Sequence, residues 1–111
     1  MILIFDPIFK VQLSEIFKFG KKRFGKKVAT DFKFKISSAI KLLKSSPEMG
    51  QEEYTLCTTN KTYRYLLVLP YKIIYSIDKD TIRIHFLWHT SQAPDKMKMY
   101  VSDDSEAIEG Q

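Results

Sequence analysis

Cysteine is nearly absent from this chain of 111 residues: Cys57 stands alone. No internal disulfide can form, so the fold does not depend on an oxidising compartment. Histidine is almost as scarce. His85 and His89, taken with Cys57, make no recognised metal-ligand spacing, so a structural metal is not expected. No cofactor is expected either. Long apolar runs are missing too. Met1–Phe5 reads MILIF, is preceded by no basic segment and breaks at Asp6-Pro7, which is too short for a signal core. No window approaches a membrane span. The expectation is a cytoplasmic protein with no membrane partner. The apolar fraction of 44% and charged fraction of 28% are ordinary for a globular protein and speak against disorder over most of the length. The length allows one domain with a modest core.

Acidic residues are scarce in the first part of the chain. Residues 1–44 hold eleven Lys/Arg against three Asp/Glu, whereas residues 45–111 hold seven against ten, within an overall net charge of +5. A basic half fits an acidic partner, either nucleic acid or an acidic protein segment. It also fits the commoner case of solvated helices whose lysine stems cover apolar surface.

What is present is organised around Tyr63–Gln92. Three runs dense in β-branched and aromatic residues, Tyr63–Leu69, Tyr71–Ile77 and Thr81–His89, follow one another across short joints at Pro70 and at Asp78-Lys79-Asp80. That pattern predicts an antiparallel meander. Before it, Met1–Phe5 reads as a strand, either buried on both faces or at the sheet edge. Asp6-Pro7 is a helix-start pair, with Asp as N-cap and Pro at the first helical position. Phe9, Leu13, Ile16, Phe17 and Gly20 share a helical face, and Gly25 suits a C-terminal cap. Val28, Phe32, Ile36, Ala39, Ile40 and Leu43 form a second stripe, with Phe34 off it. So short a turn between two amphipathic helices predicts an antiparallel hairpin. Pro47 and Gly50 end the second helix. Glu52–Cys57 reads as a weak further strand, and residues 93–97 as a turn with one helical turn at most.

Alternation assigns faces within the meander. Tyr63, Tyr65, Leu67 and Leu69 oppose Arg64, Leu66 and Val68. Tyr71, Ile73, Tyr75 and Ile77 oppose Lys72, Ile74 and Ser76. Ile82, Ile84, Phe86 and Trp88 oppose Arg83, His85, Leu87 and His89. The expected architecture is α+β: a short N-terminal strand, then a two-helix antiparallel hairpin packed on a meander of three to four strands. Residues 1–101 form the single domain, and residues 102–111 (SDDSEAIEGQ) form an acidic, flexible tail. The face away from the helices is expected to gather Arg64, Lys72, Arg83, His85 and His89.

Four stretches together resemble the RelE/ParE superfamily of bacterial toxins from type II toxin–antitoxin modules. They are Phe24-Gly25 with Ala29 and Phe32, and Ala39-Ile40 with Leu43 leading into Pro47-Glu48-Met49-Gly50. They are also Tyr63-Arg64 with Tyr71-Lys72-Ile73-Ile74-Tyr75, and the last strand Ile82–His89. The long hairpin, the helix exit and the strand-ending histidine resemble the ParE-like branch more closely. That resemblance implies a toxin neutralised by a cognate antitoxin, which inhibits DNA gyrase by binding and needs no catalytic group. It implies contact with DNA only through the antitoxin. The other branch cleaves mRNA in the ribosome. Such a nuclease needs cations around the scissile phosphate and a titratable group near the 2′-OH. Here Arg64, Lys72, His89 and Tyr100 would be its set, while Thr90, Ser91, Gln92 and Ala93 stand where those nucleases tend to carry basic residues. A third reading is a degenerate, non-toxic binding module.

For contact with a target or an antitoxin, the candidates are Arg64, Lys72, Arg83, His85, His89 and Gln92. Each has a plainer reading. Arg64 can pair with Glu52 or Glu53 on a neighbouring strand, and His89 can be a hydrogen-bonded strand end, since no partner acid stands out in the sequence. The tyrosines of the meander and Trp88 read mainly as packing, and Cys57 as a small apolar filler.

Overall fold

The computed structural model describes residues 1–101; the expected acidic tail, 102–111, lies outside them. The elements are β1 (Ile2–Phe5), α1 (Pro7–Phe24), α2 (Lys26–Leu43), β2 (Gln51–Glu52), β3 (Tyr63–Val68), β4 (Tyr71–Asp78), β5 (Thr81–His89) and a 3-10 helix (Pro94–Met99). The strands form one mixed sheet in the order β1-β5-β4-β3-β2. The fold is α+β, with the helical hairpin on one face of the sheet. β1 takes the edge position and runs parallel to β5, with Ile2 opposite Thr81 and Phe5 opposite Ile84. Among the described residues no helix is long and apolar enough to cross a membrane.

Helix-side packing follows the sequence stripe. Phe9, Ile36, Ile40 and Leu43 are buried against Leu66, Ile73, Tyr75, Ile82, Ile84 and Leu87. Val28, expected on that stripe, is 51% exposed. Residues 21–28 are exposed without interruption, so the hairpin tip projects past the sheet and Val28 has no core to face. Gly25 makes the turn with φ at +97°, a region that a Cβ disfavours.

One strand and one helical expectation are corrected. The run Glu52–Cys57 is a strand only at Gln51–Glu52. Glu53 still donates its N–H to the Tyr63 carbonyl, but the next residues turn, with the Leu56 N–H bonded to the Glu53 carbonyl. That turn carries Leu56 beneath the sheet. The residues after His89 form a 3-10 helix longer than the single turn expected, and it buries Met97 completely.

The face assignment along β5 also changes halfway. Ile74 lies opposite Phe86 and Tyr75 opposite Ile84, so His85 is the extra residue of a β-bulge. Beyond it the alternation reverses. Ile82, Ile84 and Leu87 enter the helix-side core, while Phe86 and Trp88 join a second core with Leu56, Tyr63, Ile74 and Met97. Gln12 of α1 fastens the strand just past the bulge: its Nε2 donates to the Leu87 carbonyl (3.1 Å) and its Oε1 accepts the Leu87 N–H (2.7 Å). The face expected to hold a partner is therefore largely covered by the chain itself.

Candidate functional site

Three of the candidate polar residues share the face away from the helices. Asp6 occupies the N-cap position of α1, yet its carboxylate caps no helix N–H. It reaches the sheet instead, accepting from Arg83 Nη1 at 2.6 Å and from His85 Nδ1 at 3.1 Å. A carboxylate only accepts, so Nδ1 carries the proton, and Nε2 accepts from Ser76 Oγ at 2.7 Å. His85 is 8% exposed. Burial lowers its pKa from 6.5 to about 4, against the opposing pull of Asp6, while Lys61 and Arg83 add to the lowering. Its ring is thus neutral near pH 7. Asp6, Lys61, Tyr63, Arg83 and His85 line a polar cleft of about 410 Å³ beside Tyr100 and Val101. Lys72 is spent nearby, with Nζ 2.7 Å from Oε1 of the buried Glu53 and 4.2 Å from the centre of the Tyr65 ring.

Arg64 and His89 fall on the helix side, contrary to the expected grouping. Arg64 pairs in register with Tyr75, a helix-side core residue. Its Nη1 donates to the Gly50 carbonyl at 2.9 Å, while Nη2 stands 3.9 Å from Glu52. Tyr75 works on the same loop: its hydroxyl donates to the Pro47 carbonyl (2.8 Å) and accepts the Gly50 N–H (2.9 Å). Burial pushes the Tyr75 phenol upward, so it stays a donor. A Cβ on Gly50 would meet the Tyr65 carbonyl at 2.6 Å, which explains why glycine stands at the helix exit. His89 lies opposite Tyr71, where the bulge has turned it toward the helices. Its ring meets Tyr71 edge-on, and Nδ1 accepts from Ser91 N–H (3.1 Å) and Oγ (2.8 Å).

The nuclease set therefore does not converge. Arg64 and His89 occupy the helix face, Arg64 paired with Tyr75 and His89 with Tyr71 at the β4 start, while Lys72 lies on the opposite face. Tyr100 packs on Phe86 and Trp88 of the second core. Gln92 is exposed, and its backbone carbonyl accepts from Trp88 Nε1. Asp6 and Ser76 were not among the sequence candidates. Nothing local marks them, because their partners lie 79 and 9 positions away.

A concave apolar surface stays open at the hairpin. Phe17, Phe19, Phe24, Val28 and Phe32 from the hairpin, with Pro70, Tyr71 and His89 from the sheet end, line a groove of about 370 Å³. Phe19 and Phe24 are 61% and 60% exposed there. Lys21, Lys22, Arg23, Lys26 and Lys27, all exposed, flank its Phe24 along the chain. A groove of that character suits the apolar face of an amphipathic segment.

The sequence matches the family model described as the ParE toxin of type II toxin-antitoxin system, parDE, over residues 3–94. Among solved structures, one described as the chromosomal ParDE TA system from P. aeruginosa superimposes with a TM-score of 0.67 at 16% identity. The alignment covers 80% of this chain and 95% of that one, a likeness of fold. No curated protein sequence matches.

Proposed function

The chain belongs to the family of ParE toxins of type II toxin–antitoxin systems, and from that premise we propose that it inhibits DNA gyrase by binding and is neutralised by a cognate antitoxin. One observation carries the binding reading over catalysis. The residues a nuclease would use are divided between the two faces of the sheet, and Arg64, Lys72 and His89 are each engaged within the chain. Phosphodiester cleavage needs those groups around one phosphate.

The antitoxin reading is supported by the open groove at the hairpin. Its aromatic lining would be covered by an apolar helix face or strand of the antitoxin. Supercoiling of relaxed plasmid by purified gyrase tests the proposal. This chain is expected to block the reaction, and its antitoxin to restore it. Full supercoiling at large molar excess of the chain would overturn it. Toxicity in a growing cell, relieved by co-expression of a small partner encoded beside this chain, is the companion expectation.

A further inference from the structure

The seven residues Lys21-Lys22-Arg23-Phe24-Gly25-Lys26-Lys27 carry five cations and no acid. All are exposed, and they cap the projecting end of the hairpin. The ion pair seen there among the described residues is Lys27 with Asp31, an exposed i,i+4 contact at 3.8 Å.

Helix stability accounts for part of this cluster only. Lys21, Lys22 and Arg23 lie in the last turn of α1, where the macrodipole favours cations. Lys26 and Lys27 lie in the first turn of α2, which holds no acidic residue and where the dipole opposes cations. The five charges also repel one another. Their stems leave much apolar surface uncovered: Arg23 lies 5.8 Å from the Phe24 ring centre and Lys21 borders Phe9, Leu13 and Phe17, yet Phe24 and Val28 remain more than half exposed.

We propose that this basic tip binds the phosphate backbone of duplex DNA. A convex cluster of cations, parted in sequence only by Phe24-Gly25, needs no shaped pocket to engage a polyanion; it needs charge density, which duplex DNA supplies along its whole length. An acidic protein segment fits less well at the tip itself, because its apolar anchors would sit in the groove to one side. The proposal goes beyond gyrase inhibition and borrows from that reading only the choice of duplex DNA, the substrate of gyrase. It also departs from the expectation that DNA is met only through the antitoxin.

The test uses the full chain and no gyrase, so its outcome is independent of the gyrase reading. Binding to a labelled duplex of about 20 base pairs is followed by fluorescence anisotropy across a salt series. A slope of log K against log salt near about −4 is expected if the cluster neutralises four or five phosphates. Lys21→Glu, Lys22→Glu, Lys26→Glu and Lys27→Glu together should weaken binding by more than about tenfold, and the matching Gln variant should flatten the slope. Reversing Lys10, Lys35, Lys41 and Lys44 instead changes net charge equally and should cost far less. Equal losses from both sets would overturn the proposal, leaving net charge alone. No binding to duplex at low salt, or tighter capture of an acidic polyglutamate peptide than of DNA, would overturn it as well.

Discussion

Burial decides the chemistry of His85. The ring is neutral in the folded chain because desolvation outweighs the nearby Asp6 carboxylate. Its folded pKa of about 4 lies below the unfolded 6.5, so between those values the unfolded chain binds more protons. Stability contributed by the neutral ring is present above about pH 6.5 and is lost as pH falls toward 4, by up to about 3 kcal/mol. Urea denaturation at pH 7 and pH 4.5 checks this: the wild-type chain should lose stability across the interval, and His85→Gln should lose distinctly less. Gly50 gives a second expectation. An added methyl would strike the Tyr65 carbonyl and the Tyr75 ring, so Gly50→Ala should cost about 1–3 kcal/mol in a denaturant titration. Of these two residues, Gly50 stood out in the sequence as the end of a helix exit. The role of His85 did not, since it depends on Asp6 at the far end of the chain.

At the scale of elements, the hairpin, β3 and β4 were legible because each carries its own period. Phe9 to Gly20 and Phe32 to Leu43 repeat every three or four residues, and β3 and β4 alternate without a fault. β5 misleads, because a bulge adds one residue and leaves no mark in composition. Phe86 and Trp88 read as facing the helices until the register shift moves them to the other core. The same shift placed His89 on the helix side, while Arg64 reached that side through its pairing with Tyr75. Gln12 is what anchors the reversed segment to α1. Replacing it with Leu leaves the Leu87 N–H and carbonyl without these partners, so Gln12→Leu should lower stability by about 1–3 kcal/mol by thermal or chemical denaturation. A loss within a few tenths would mean that the bulge holds without the α1 contact.

For the whole molecule, the division of labour runs along the hairpin. Its base is core: Leu43 is fully buried, and Leu43→Ala should cost about 2–5 kcal/mol. Its far end is surface, where Phe19 and Phe24 stabilise little in the free chain. Phe19→Ser with Phe24→Ser should leave the melting temperature nearly unchanged, yet weaken antitoxin binding by more than about tenfold in calorimetry. An unaffected affinity would place the antitoxin elsewhere. The most direct test of the central claim is gyrase inhibition titrated at several gyrase concentrations, alongside mRNA cleavage on programmed ribosomes. Inhibition is expected to follow the ratio of chain to gyrase, to persist in Arg64→Ala with His89→Ala, and to occur without cut mRNA. Cut mRNA together with unimpaired supercoiling would contradict it.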